Sequence, residues 1–295
     1  MQVHPVTSSG LTHPQQGWQR LSSSILIAVA SLAGALTFLY PFFLPLFGDR
    51  RRQTGHGIEV SLLFAFLAGI CLVVMLLEVQ SRATGGGPAA SKLVALLGVL
   101  VAVDAALRLI PSLLGASPIF FLIILAGYAY GADFGFLMGS LTLLVSAFIT
   151  GGLGPWLSFQ MLVAGWVGMT AGWLPKQRLR ASRRRELAAL IAFGALWGFL
   201  YGAIMNLYSW PFAAPGLQQQ TGLYWVPGMG FLQTVDTYAR FYLATSLVYD
   251  LFRAAANALL LGLLARPVVA MLDRYRTRFS WQPWSRLDGA TEMIP

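Results

Sequence analysis

The sequence is poor in the residues that soluble chemistry relies on. Its 295 residues contain one cysteine, Cys71, inside an apolar run, so no disulfide can form within a chain. The three histidines, His4, His13 and His56, lie outside the long apolar segments. A buried Cys/His cage cannot be drawn from them, and no metal site is expected. Charged residues make up only 11%, against about 25% in a soluble globular protein. With 57% hydrophobic residues and a mean hydropathy of +0.66, the composition speaks against a soluble enzyme, a disordered chain and a nucleic-acid binder. There is no HExxH, no P-loop, no Gly-rich dinucleotide fingerprint, no Ser/His/Asp set and no closely spaced pair of intramembrane carboxylates. No catalytic residue and no cofactor is assigned. Lacking a nucleotide-binding motif, the chain cannot power primary transport by itself.

What the sequence does have is long apolar runs with basic clusters between them. A helix needs roughly 20 apolar residues to cross a bilayer core. Residues 21–47, 58–79, 91–111, 133–150, 156–175, 189–210 and 238–265 meet that length or approach it. Residues 117–131 form an eighth, shorter segment that spans only if packed among other helices. The expected fold is an all-α polytopic membrane protein. A polar stretch over residues 1–20, with Pro5 and Pro14, reads as a disordered N-terminus and not as a signal peptide. Residues 21–79 read as a pair of transmembrane helices, 80–90 as a Gly-rich linker, 91–266 as a six-segment core and 267–295 as a basic tail.

The net charge is +9, and the orientation follows from where its Lys and Arg lie, because those in short loops stay cytoplasmic. Residues 176–186 (KQRLRASRRRE) hold six basic residues and are expected inside. So is the tail, with Arg266, Arg274, Arg276, Arg278 and Arg286. The 211–235 loop has no Lys or Arg and is expected outside. The same count puts Arg50, Arg51 and Arg52 outside, against the rule: either the N-terminal pair is irregular or one segment is miscounted.

Three groups of residues stand out. Gly98, Ala102 and Ala106 in the third segment drift only about 80° around a helix and form one small-residue stripe. Such a stripe lets two helix backbones approach closely in lipid, either inside this protein or against a partner subunit. Asp104 and Arg108 in the same segment are four apart and can pair. In the turn GGLGPW, the residues Gly151, Gly152 and Gly154 permit unusual backbone angles, and Pro155 suits the first turn of a helix. Trp156 and Gln160 follow, four apart, offering a ring and an amide on one face. Asp250, Arg253 and Asn257 fall within about 60° of one another on the last segment. Ionisable groups at membrane depth are functional candidates, with a structural Asp–Arg bridge as the alternative. Asn206 can join them, and Trp225 sits with Tyr224, Pro227, Gly228 and Gly230 in an outer loop that is either a lid or a surface loop.

From about Lys92 to Arg266 the chain resembles the substrate-binding S components of energy-coupling factor (ECF) transporters. The likeness rests on LLGVLVAVDAALRLIP, on LAGYAYGADFGFLMGSLTLLVSAFITGGLGPWLSFQM and on YDLFRAAANALLL. The resemblance implies a six-helix membrane core with both ends cytoplasmic and no enzymatic activity. It implies capture of a vitamin or vitamin precursor at the outer face, a cobalamin-type compound among the candidates. Gly154, Pro155, Trp156 and Gln160 fall in the family's outer-loop region between its third and fourth helices. The family's first helix carries small residues that meet a transmembrane coupling subunit; here Gly98, Ala102 and Ala106 match. Two ATPases bound to that subunit supply the power. The extra pair at 21–79 departs from the family pattern. The rival readings are an ion-coupled secondary transporter, with Asp250 or Asp104 as proton carriers, and a membrane-embedded enzyme or assembly protein.

Overall fold

The computed structural model describes residues 25–39, 42, 66, 69–70, 73–74, 77, 87–112, 114–154, 156–212, 222–226 and 228–278. Among them every regular element is helical. We label the helices α1 (Ile25–Leu39), α2 (Gly87–Leu107), α3 (Ile119–Tyr130), α4 (Ala132–Thr150), α5 (Leu157–Gly172), α6 (Lys176–Arg180), α7 (Arg183–Ser209), α8 (Phe231–Thr245) and α9 (Leu247–Arg278). Helices α4, α7 and α9 are long and apolar enough to cross a membrane, and α1 and α3 are shorter apolar helices. Most of the expected second N-terminal segment, and Arg50 to Arg52, lie outside the described residues.

The shortest apolar segment sits at the centre. Every residue of α3 from Ile119 to Ala129 is buried, because α4, α5 and α9 surround it. A helix enclosed by protein need not match the bilayer thickness with its own length. Gly131, with φ 106°, is the whole hinge between α3 and α4, a conformation that a side chain would oppose. α4 and α5 then pack backbone to backbone. A Cβ on Gly135 would collide with the Gly168 carbonyl, and one on Gly139 with that of Ala164. Ser140 Oγ donates across the seam to Met161 O at 3.0 Å. In lipid, where water cannot drive helices together, this close approach is what small residues contribute.

Three boundaries differ from the sequence expectation. α2 begins at Gly87, inside the stretch taken as linker. α9 continues beyond Arg266, through Pro267, to Arg278, so the first part of the expected tail is helix. The segment 238–265 is not one helix: the chain bends at Ser246, and α8 before it is amphipathic. Thr237 and Phe241 are its buried residues, while Phe231 and Leu232 are exposed and Asp236 pairs with Arg240 at 2.8 Å.

One end of the bundle is basic. Arg180 pairs with Asp273 at 3.0 Å and with Glu186 at 3.5 Å, tying α6 to the far end of α9. Tyr128 donates to Glu186 at 2.8 Å, and Tyr130 donates to Leu272 O at 2.7 Å. Residues 176–186 and the end of α9 therefore share a side, as the basic clusters predict. Helix α1 lies against α5: Trp166 Nε1 donates to Ser31 Oγ at 2.9 Å, and Phe38 meets Phe159 edge-on at 4.5 Å. Part of the N-terminal region thus covers α5.

Candidate ligand-binding site

The polar candidates gather at the end of the bundle opposite the basic one. Their scaffold is a ladder between α7 and α9. Gly194, Gly198 and Gly202 of α7 recur every fourth residue and face Asn257, Arg253 and Asp250 of α9. Asn257 Nδ2 donates to Gly194 O at 2.9 Å, and Arg253 Nη1 donates to Gly198 O at 3.2 Å. A Cβ on Gly202 would collide with the Asp250 carboxylate. The three α9 residues share a face, as their spacing predicts, and the face they meet is glycine backbone.

At the upper rungs the ladder closes around an ion pair. Arg253 Nη1 donates to Asp250 Oδ1, and Tyr242 of α8 donates to Asp250 Oδ2 at 2.8 Å. The guanidinium lies over the Tyr201 ring, 5.3 Å from its centroid, and Tyr201 packs edge-on against Phe120 at 4.7 Å. The α2–α3 loop covers this group: a Cβ on Gly115 would lie 3.2 Å from Arg253 Nη2. Asp250 is 1% exposed, so the pairing is what makes its burial tolerable. Asn206 donates to Ser246 Oγ at 2.8 Å, fastening α7 to the bend between α8 and α9.

A second group lies across Tyr201. Arg108 Nη1 donates to Ser146 Oγ at 2.8 Å, and Nη2 to Gln160 Oε1 at 3.4 Å. The Tyr201 hydroxyl is within electrostatic reach of both Arg253 and Arg108. The two groups therefore form one polar layer drawn from α2, α4, α5, α7, α8 and α9.

The expected Asp104–Arg108 pair is absent. Asp104 is fully buried beside Thr142, a turn deeper, and neither its oxygens nor the Thr142 hydroxyl make a sound hydrogen bond. Arg108 instead turns toward α4 and α5, where neutral acceptors wait. Trp156 remains 44% exposed, and its ring lies against Gly154. Gln160 N bonds to Trp156 O at 3.0 Å, as the first turn of α5 requires. Pro155 is outside the described residues. Trp225 belongs elsewhere: it is buried in an aromatic cluster with Trp210, Phe241 and Phe42, 5.4 Å from the last in an edge-on contact. The Trp210 indole donates to Leu223 O at 2.9 Å, so this cluster anchors the 222–226 segment and does not project Trp225 into the polar layer. Gly98, Ala102 and Ala106 are all exposed, and a Cβ on Gly98 would meet nothing within 4 Å.

Sequence reasoning missed Tyr201, Tyr242, Ser146 and the partnering of Arg108, because their neighbours come from remote helices. The spacing Gly194–Gly198–Gly202 was a readable signal. A cleft of about 330 Å³ also opens at the basic end between α7 and α9, with Arg183 and Arg266 on its rim, but its Arg180 is already balanced by Glu186 and Asp273.

The family described as ECF transporter, substrate-specific component, matches residues 92–265. No curated protein and no solved structure matches the chain.

Proposed function

Because this chain belongs to the substrate-specific components of ECF transporters, we propose that it captures a vitamin or vitamin precursor at the outer face of the cell membrane. Components of this family work with a transmembrane coupling subunit and ATPases, which here perform the ATP-driven uptake. The observation that carries the reading is the polar layer of Arg108, Gln160, Tyr201, Asp250 and Arg253 at the end opposite the arginine-rich one. The positive-inside rule puts residues 176–186 in the cytoplasm and this layer outside. The half-exposed Trp156 beside it suits a planar ring, and a corrinoid is the first candidate. The exposed stripe of Gly98, Ala102 and Ala106 is the proposed docking face for the coupling subunit.

The test is mass spectrometry of small molecules retained by the protein after gentle purification together with its ATPases. A heterocyclic micronutrient is expected. Recovery of lipid alone, or external labelling of a cysteine placed at position 183 in intact cells, sinks the reading. Ion-coupled secondary transport draws on one observation, the fully buried Asp104, which has no ion-pair partner among the described residues. Uptake that survives loss of the ATPases would favour it.

A further inference from the structure

The polar layer is charge-imbalanced. It holds two guanidinium groups: Arg253 lies over the Tyr201 ring, and Arg108 is within electrostatic reach of the same residue. Arg253 has its carboxylate, Asp250, whose other oxygen accepts from Tyr242. Arg108 has none: among the described residues its acceptors are the Ser146 hydroxyl and the Gln160 amide oxygen. Asp104, the remaining carboxylate of this region, forms no ion pair with it. A guanidinium carries five N–H donors in a planar fork, and here two atoms of that fork hold neutral oxygens, one of them at a long 3.4 Å. An arginine held near membrane depth by neutral partners lacks, among the described residues, the counterion such groups normally find.

The geometry points to a ligand that carries an anionic group, a carboxylate or a phosphate, and assigns Arg108 as the residue that grips it. The proposal rests on the reading of this end as the ligand site. An anionic oxygen displaces the weak Gln160 contact and makes a shorter, charge-assisted pair with the fork. Gln160, freed from Arg108, turns its amide N–H groups to the same anion, while Ser146 keeps the guanidinium in place. The Ser146 hydroxyl donates to Leu143 O at 3.1 Å, so it stays fixed as an acceptor for Arg108. Trp156 remains available to the ring of the ligand. Arg253 stays with Asp250 and contributes positive potential across Tyr201.

The experiment is thermal unfolding of the full chain in nanodiscs with matched probes. The pairs are pantothenate with pantothenol, biotin with biotinamide, cobyric acid with cobinamide, and flavin mononucleotide with riboflavin. The first three report a carboxylate and the fourth a phosphate. The expected result is stabilisation by the acidic member of at least one pair and none by its partner that lacks the acid. Arg108→Gln should weaken that binding about ten- to hundredfold, and Arg108→Lys should weaken it less. Should Arg108→Gln fail to fold, Gln160→Glu is the second variant. It places a carboxylate beside Arg108 and should abolish the acid-dependent shift in a folded protein. A neutral probe that stabilises wild type and Arg108→Gln alike overturns the proposal, and so does the absence of a shift with every acid. Co-purification separates the two layers of inference. A chain that binds its coupling subunit and ATPases yet retains a neutral molecule leaves the S-component reading standing and removes this one. A chain that binds neither fails at the reading itself.

Discussion

Two stripes of small residues run through this protein with the same four-residue spacing and opposite surroundings. Gly194, Gly198 and Gly202 on α7 are buried against α9, where added methyl groups would collide with Leu261, Ala254 and Asp250. Gly98, Ala102 and Ala106 on α2 are exposed, and space beside Gly98 is open. The spacing reports that a backbone can be approached closely; it does not report by what. On α7 the approaching element is in the same chain and brings polar side chains with it, since glycine carbonyls accept from Arg253 and Asn257. On α2 no described element of the chain fills the stripe, which is why we assign it to another subunit.

The largest effect should come from filling the closed stripe. A Cβ on Gly198 would lie 2.5 Å from Ala254 Cα and 2.6 Å from Ala254 N, and backbone atoms cannot swing aside. Gly198→Ala should cost about 1–3 kcal/mol by overpacking, and Gly198→Leu should prevent accumulation of folded protein. Yield of monodisperse protein and tryptophan-monitored unfolding in detergent measure both. Near-wild-type stability in Gly198→Leu would mean that α7 and α9 are not closely packed.

Filling the open stripe should leave the fold alone. Ala102→Leu adds bulk to an exposed position, so the unfolding midpoint should stay within about a degree or two of wild type, as for surface changes within ±0.5 kcal/mol. Association with the coupling subunit should be lost, and uptake with it. Pull-down of the ATPases by the tagged chain reads the first and cell uptake the second. If Ala102→Leu unfolds the protein, the two stripes do the same job and the contrast between them fails.

Much of this arrangement was legible from the residues, and the illegible part has a common cause. Apolar runs located the helices, including the short one at 117–131, whose need for protein on every side is met in α3. The i, i+3, i+7 spacing correctly put Asp250, Arg253 and Asn257 on one face. Spacing speaks only for neighbours on one helix, however, and so suggested Asp104 for Arg108, whose partners Ser146 and Gln160 arrive from α4 and α5. Hydropathy failed at Ser246 for a related reason. The Tyr, Phe and Leu of α8 make the run from 238 onward look continuous, while the bend follows from tertiary bonds, with Asn206 on Ser246 and Tyr242 on Asp250. Trp225 could be assigned to a mouth or to packing on composition alone, and only its contact with Phe42 and its cluster with Trp210 and Phe241 decide.

The smallest effect is expected at Asn257, and it separates a ladder rung from a ligand group. Its amide nitrogen bonds to Gly194 O, a carbonyl that lies within α7 and accepts a helical N–H as well. Its Oδ1 is buried with no partner among the described residues. Replacing it with leucine removes one hydrogen bond and one unsatisfied oxygen together. Interhelical hydrogen bonds in membranes average about 0.6 kcal/mol, and an unsatisfied buried acceptor costs about 1–3 kcal/mol. The two terms oppose each other, and the leucine side chain, unlike one added at Gly198, grows from a Cβ already accommodated 3.5 Å from the Cβ position of Gly194. Asn257→Leu should therefore leave the protein at least as stable as wild type, because the relieved penalty is the larger of the two terms. Small-molecule retention by the purified variant, measured by mass spectrometry, should match wild type. A folded Asn257→Leu protein that no longer retains its molecule would show that Oδ1 points at the ligand, and would extend the site from the Arg108 layer down the α7–α9 ladder.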